Sequence, residues 1–444
     1  MNDSNARNIA VDILDETNRK DLRLNAVRDK IFSRQQLSRQ VRAEVTNLIQ
    51  QTTRWQGRLD YWLRSVSDRP LRKLQSRLLI ILRLATYELL IDRINPDYAI
   101  IHSYVDLAGK RVGQRVKGLT NAILRKIAKT DPLAGPDDDA TSELLASWNS
   151  IPNWLWVKWE TRFGVAETQA LCEYQNRIPA LSIRRNATNI SVKELIETLA
   201  GADLKIEPRP DSDLFFSITG RSLALFQHDL FRNGSVSVQD WAAGSVVDIL
   251  DPQPGETILD LCAAPGTKTV YLAERTAGDP GSKIIACDSD PERIAKAMED
   301  VKRHGFSKII WKNCDVSTAD LPLADAVLVD APCTGTGVIR RKPDIKWRRS
   351  PGNIAEMVEI QSKILANAGR AVKSGGRLIY STCSLEPEEN WNVVESYLKF
   401  NPRFSIDKLD SLIPKEWITP NNTMETIPHR QGVDGIFAAR LIAE

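Results

Sequence analysis

The stretch TILDLCAAPGTKTVYLAERTA, residues 257–277, decides the fold class. Its first five residues, Thr257–Leu261, make a short apolar run of strand length. A loop of small residues follows, and residues 269–277 have helical character. The same alternation repeats outward, with short apolar runs at 283–286, 308–311, 324–329 and 376–380 and helical stretches at 291–304 and 353–372. This rhythm predicts an α/β domain over residues 237–444, a parallel sheet with helices on both faces.

In such sheets ligands bind beyond the carboxyl ends of the strands, so the residues after each run carry the most information. After the first run stand Cys262, Ala263, Ala264, Pro265, Gly266, Thr267 and Lys268, where small side chains let a ligand approach the backbone and a helix start offers N–H groups. The loop is not GxGxxG, which disfavours a dehydrogenase. Asp288 follows the second run, where a carboxylate can accept both hydroxyls of a ribose, and Asp315 follows the third, in reach of an adenine amino group. Each aspartate alone is more often a helix cap or turn residue. Together and in order they describe a pocket for an adenosine-bearing cofactor.

The fourth run ends in Asp330-Ala-Pro332-Cys333 and the fifth in Ser381-Thr-Cys383-Ser384, so two thiols are expected to face one cleft from polar loops where a thiolate can form. Cys172, Cys262, Cys287 and Cys314 read as packing residues, no close pair has zinc-type spacing, and no metal is expected.

The 444 residues carry a formal charge of only +3, but it is unevenly spread: residues 1–130 carry net +12, 131–235 net −5 and 236–444 net −4. The basic block is helical. Ile100, Ile101, Tyr104, Val105 and Ala108 form one stripe and Leu119, Ala122, Ile123 and Ile127 a second, with Pro96 opening a helix and Arg111, Arg115 and Lys117 expected towards solvent. A folded basic module points to phosphate backbone; the bland alternative is a solvated basic face. Residues 131–141 have linker composition. Residues 142–236 read as a small α+β region, with strands near 181–185 and 214–218 around a helix at 192–199. Trp148, Trp154, Trp156 and Trp159 are expected to pack rather than to stack bases. No apolar run is long enough for a membrane span or a secretory signal, so a cytoplasmic chain is the expectation.

A thiol, an adenosine-bearing methyl donor and an RNA-binding module meet in one reaction. Carbon 5 of a pyrimidine is too weak a nucleophile until a thiolate adds to carbon 6. A group near N3, for which Asp330 is placed, must stabilise the charge that develops. The spacing does not say which cysteine attacks.

The segments DLCAAPGTKT (260–269), DAPCTGTG (330–337), RKPDIKW (341–347), STCSLEPEEN (381–390) and HRQGVDGIFAARL (429–441) resemble the RNA cytosine-5 methyltransferases. With PDYAIIHSYVDLAGK and GLTNAILRKI, which resemble NusB, nearly the whole chain is similar to the RsmB (Sun/Fmu) family. That resemblance implies a Rossmann-like methyltransferase domain behind an all-α NusB-like domain, with S-adenosylmethionine held by residues 262–268, Asp288, Asp315 and Asp330. It also implies Cys383 as nucleophile, Cys333 as helper in product release, and small-subunit ribosomal RNA as substrate of a monomeric enzyme. Lys268 is expected to orient the cofactor loop, with a cap or surface role equally open, and His429-Arg430 to support the pocket. The same chemistry on transfer RNA and a non-catalytic assembly factor are the competing readings.

Overall fold

The structure, a computed structural model, describes residues 3–444 except 138, 211, 221, 278 and 307, with the side chains described from residue 6. Met1, Asn2 and Asp138 of the expected linker therefore lie outside the described residues. The chain divides into two compact units: residues 1–177 with Lys342–Arg349, and Ile178–Arg341 with Ser350–Glu444.

The first unit is all helical. Helices Asp3–Lys20, Leu24–Arg34, Arg39–Val66, Ser76–Tyr87, Asp97–Arg111 and Lys117–Ile127 enclose a core that includes Ile13, Val45, Ile81, Leu84 and Leu124. Pro96 precedes helix Asp97–Arg111 as its N-cap, and Ile100, Tyr104 and Ala108 are buried along one face of it. In the second stripe Ile123 and Ile127 are buried, whereas Ala122 is exposed.

Two of the cations expected towards solvent reach it within ion pairs: Arg111 pairs with Asp12, and Lys117 Nζ lies 2.7 Å from Asp106. Long basic side chains lay their stems on neighbouring helices and keep only the head in reach of water, which spacing alone does not reveal. Arg115 is exposed.

Helices Ser142–Trp148, Asn153–Phe163 and Val165–Gln175 belong to the same unit. Trp156 and Trp159 are fully buried, and Trp148 sets its ring edge-on to Tyr61 and Trp62 beneath the Arg58 guanidinium. These tryptophans are packing residues. The segment Lys342–Arg349 belongs to this unit as well: the buried Lys346 donates through Nζ to Arg54 O at 2.7 Å and Asn176 Oδ1 at 2.9 Å, and Trp347 Nε1 donates to Thr53 O at 2.7 Å.

The second unit holds two sheets. The smaller contains β1 (Leu181–Arg185), β2 (Lys205–Pro208), β3 (Phe215–Thr219) and β4 (Val236–Val238), antiparallel in the order β2-β3-β1-β4, with helix Val192–Gly201 closing its core through Leu195 and Leu199. The larger contains β5 (Thr257–Leu261), β6 (Lys283–Asp288), β7 (Ile310–Asn313), β8 (Ala324–Asp330), β9 (Val372–Thr382), β10 (Phe404–Ile406), β11 (Met424–Glu425) and β12 (Phe437–Ala443). Its order is β10-β12-β9-β8-β5-β6-β7, with β11 on β12.

The run from β9 to β7 is parallel, as the rhythm predicts, but the sheet as a whole is mixed. β12 returns antiparallel along β9, from Phe437 opposite Thr382 to Ile442 opposite Arg377, and carries β10 and β11. The physical reason is the open edge of β9, which would otherwise leave a row of backbone groups unpaired. Helices pack on both faces, with Val246, Val247 and Leu272 on one side and Ile364, Leu365 and Val394 on the other.

The two sheets meet at a buried charged group. Arg184 of β1, fully buried, forks onto Glu274 of helix Thr267–Arg275, donates to Gln239 Oε1 at 2.6 Å and stacks on Tyr271. The ring of His304 sits beside the same carboxylate, its Nε2 3.1 Å from Ser237 Oγ. Among the described residues no helix is long and apolar enough to cross a membrane.

Candidate active site

The carboxyl ends of β5, β6 and β8 converge. At the end of β5 the backbone turns sharply, with Cys262 at φ +62° and Gly266 at φ +96°. Ala263 N donates to Cys287 O at 2.9 Å and Ala264 N to Asp288 Oδ2 at 3.0 Å, so the loop is pinned to the end of β6. A Cβ at Gly266 would lie 3.1 Å from that of Ala297, and its left-handed φ penalises any other residue. Helix Thr267–Arg275 starts from Gly266 with no side chain capping it, leaving its first N–H groups to serve an acceptor brought from outside.

Asp260 is buried and accepts from Thr269 Oγ1 at 2.6 Å. Burial pushes its carboxyl up to about 7; Thr269 and Lys268 oppose the shift, and the charges of Asp330 and Asp288 add to it. The second oxygen of Asp260, Oδ1, is buried without a hydrogen-bond partner and is available to a ligand donor. Asp288 is also buried, and its Oδ1 accepts from Asp290 N at 3.0 Å while Arg293 lies 3.4 Å away. Asp315 stands apart. It is exposed beyond β7, and Ser317 engages its carboxylate through N–H at 2.9 Å and hydroxyl at 2.7 Å, which holds it below the usual carboxylate range.

Asp330 ends β8 and receives a hydrogen bond from Lys268 Nζ at 2.8 Å. Burial acts to lower the Lys268 ammonium, but the charges of Asp330 and Cys383 outweigh it and the net shift is upward, so the lysine stays a cation. Its side chain is mostly buried and reaches across the site, which removes the surface-duty reading. Three residues on, Cys333 meets Cys383 from the end of β9, Sγ to Sγ 3.3 Å. Adjacent parallel strands deliver both thiols, since Asp330 lies opposite Ser381 in the ladder. Of the other cysteines, Cys172 and Cys287 are buried, and Cys262 and Cys314 pack against the core.

Several residues that hold this arrangement carry no sequence signal of their own. Gly337 N donates to Cys383 O at 2.9 Å and Gly435 N to Gly337 O at 2.9 Å; a Cβ on Gly337 would fall 2.0 Å from Gly435 O. Arg341 bridges two buried carboxylates, Asp434 at 2.7 Å and Asp240 at 2.8 Å. His429 and Arg430 lie on the short helix Pro428–Gln431, which leads into this Asp434–Gly435 turn. Only the Gly-rich end of DAPCTGTG could have flagged close backbone approach. A cradle of small residues, an uncapped helix start, buried carboxylates at Asp260 and Asp288 and a thiol pair beside an ammonium–carboxylate pair suit an adenosine-bearing donor and a thiol-dependent group transfer.

A relative from Synechocystis sp., described as a probable ribosomal RNA small subunit methyltransferase B, is 33% identical over 98% of this chain and 99% of its own. The chain belongs to the RsmB/F family of 16S rRNA methyltransferases. The family model for 16S rRNA methyltransferase RsmB/F matches residues 247–442, the NusB family residues 4–129, and the ferredoxin-like domain of RsmF/B-like methyltransferases residues 151–217. The ribosomal RNA small subunit methyltransferase B of Yersinia pseudotuberculosis is 31% identical, with 99% of both chains covered. The crystal structure of PH0851 superimposes with a TM-score of 0.81 at 28% identity, covering 98% of each chain. The Rossmann-like methyltransferase domain with its mixed sheet, the NusB-like helical domain and the small α+β region are thus those of this family.

Proposed function

We propose that the chain transfers a methyl group from S-adenosylmethionine to carbon 5 of a cytosine in 16S ribosomal RNA, through a covalent bond between Cys383 and carbon 6. The observation that carries this reading is the pair of thiols at the ends of adjacent strands, next to Lys268 and Asp330. S-adenosylmethionine, when bound, supplies an electrophilic methyl group. Residues 262–268 with Asp288, Asp315 and Asp330 would hold it: the small side chains admit it to the backbone, Asp260 Oδ1 and the Asp288 carboxylate offer acceptors, and Asp315 stands at the rim.

The protein groups then have separate tasks. The Cys383 thiolate adds to carbon 6, and the Lys268–Asp330 pair, joined by a hydrogen bond of 2.8 Å, stabilises the charge at the N3 side of the ring. After carbon 5 has taken the methyl group, Cys333 gives its thiol proton to solvent and, as the thiolate, accepts the proton that carbon 5 loses. The Cys383–carbon 6 bond then breaks and the thiolate is restored. The helical module with net +12 charge would capture the RNA, and the reading is of a monomer working in the cytoplasm.

Bisulfite sequencing of ribosomal and transfer RNA from a deletion strain tests the substrate. One 16S cytosine should lose its methyl mark; a mark lost only from transfer RNA would replace this reading with the transfer RNA one, and no change would leave the assembly factor. Asp288→Ala should weaken S-adenosylmethionine binding about tenfold or more in calorimetry, the worth of a charge-assisted hydrogen bond. RNA affinity of the full chain should fall steeply with salt. Neutralising the exposed Arg115, Arg125 and Lys129 should flatten that log–log slope by about one for each phosphate that these cations neutralise in the native chain.

A further inference from the structure

We infer that Glu389 is a positioning residue for the two thiols: one buried carboxylate that ties the Cys333 loop to the Cys383 loop and fixes how the pair meets. Glu389 lies on the short helix Pro387–Glu389, which follows the Cys383 loop, and is fully buried. Its Oε1 accepts from Thr334 N at 2.8 Å and Gln361 Nε2 at 3.0 Å; its Oε2 accepts from Ser384 Oγ at 2.5 Å and from the Thr334 hydroxyl.

Thr334 is the residue after Cys333, and Ser384 the residue after Cys383. A single side chain therefore grips the immediate neighbour of each thiol. Gln361 extends the grip, since the same Nε2 donates to Pro332 O at 2.9 Å, one residue before Cys333. Asn390, next in sequence, completes the Cys383 side: it accepts from Thr382 Oγ1 at 2.5 Å and donates to Ser384 O at 2.8 Å. Tyr380 anchors the hub to β9 by donating to Glu389 O at 2.6 Å.

Burying a carboxylate costs free energy unless its lone pairs are filled, and here four donors fill them. An apolar residue would pack the same space without that cost but could not couple two loops. The charge has a second consequence. Cys333 is pushed well above the ordinary thiol value, first by its contact with Cys383, then by burial, the Cys383 charge and the Glu389 charge. Other ionisable groups near the pair include Lys268, facing Cys383 and paired with Asp330, and Tyr380, facing Cys333. With Lys268 on the Cys383 side and Glu389 acting against a Cys333 thiolate, the field favours Cys383 over Cys333 as the attacking thiolate and makes a Cys333 thiolate, once formed, the stronger base.

This inference rests on the proposed division of labour between the thiols, so its test reads thiol geometry apart from methyl transfer. Diamide oxidises two neighbouring thiols to a disulfide while its N=N bond takes up the two hydrogens. Peptide mapping of the folded full-length protein then gives the rate of Cys333–Cys383 cross-linking. Glu389→Ala, which deletes the hub, should slow cross-linking about tenfold or more as the pair loses its fixed separation. It should also lower kcat while leaving the KM for S-adenosylmethionine unchanged.

Glu389→Gln keeps an acceptor for Thr334 and Gln361 but removes the charge, so the pH profile of Cys333 alkylation by iodoacetamide should shift to lower pH. This isosteric variant carries the test if the alanine variant does not fold. Cross-linking at the wild-type rate in a folded alanine variant, or an unmoved Cys333 profile in the glutamine variant, would overturn the inference. Retention of methyl transfer by Cys383→Ala would instead remove the assigned thiol roles and leave these two readouts standing.

Discussion

Replacing Cys383 with alanine is expected to abolish methyl transfer, a loss on the order of 10⁴-fold or more, because a covalent route has no substitute once its nucleophile is gone. Cys333→Ala is expected to behave differently: one methyl group is transferred, and the RNA then stays attached, visible as a slow-migrating band in a denaturing gel. The contrast follows from the order of events. Cys383 makes the bond to carbon 6, and Cys333 removes the proton whose loss lets that bond break. Distance alone does not separate the roles, since the two sulfurs are 3.3 Å apart. The surroundings differ, however: the Lys268 ammonium bears on Cys383, whereas Glu389 bears on Cys333. Accumulation of adduct by the Cys383→Ala protein and its absence in Cys333→Ala would reverse the assignment, and full turnover by both would remove covalent catalysis altogether.

The parts of this site that sequence makes legible are those where a strand end and a chemically distinctive side chain coincide. Asp288, Asp330, Cys333 and Cys383 all lie at or just after strand ends, and period and loop composition locate them without further help. The antiparallel return of β12 is not readable in the same way. FAARLIA is an apolar run like the others, and its direction depends on which sheet edge is open after β9 has formed. Glu389 is invisible for a related reason. In LEPEEN it stands among exposed-looking acids, and only the fold reveals that Glu389 is buried against Thr334 and Ser384 while Glu388 is not buried. Arg341 and Lys346 illustrate the same limit within one motif. RKPDIKW carries three cations, yet Arg341 closes on Asp434 and Asp240, and Lys346 is buried against Arg54 O and Asn176. Charge in a sequence predicts solvent on average, and it fails where partners distant along the chain satisfy the group.

The largest stability effect is expected from Glu274→Ala, at a position remote from the thiols. Arg184 is fully buried, and burial pushes its guanidinium down to about 10 even with Glu274 beside it. Without the carboxylate, the cation keeps Gln239, the Tyr271 ring and the fields of Asp248 and Asp300 but loses its paired carboxylate, which costs about 3–5 kcal/mol. That is a large share of the roughly 5–15 kcal/mol that holds a domain together. The urea midpoint should fall accordingly, and amides of β1 and β4 should lose hydrogen-exchange protection before those of β8 and β9. Arg184→Met combined with Glu274→Leu should recover most of the loss, because removing both charges leaves no unpaired ion. The neighbouring His304 adds a pH dependence of known sign. Burial first, and then the Arg303 cation, lower it from 6.5 to about 4, so the folded state holds a neutral ring where the unfolded chain binds a proton. Its contribution is complete above pH 6.5 and is lost as the pH falls towards 4. Urea midpoints measured across that window should decline for the native sequence and decline less for His304→Gln; an equal slope in both would show that the ring is not held neutral.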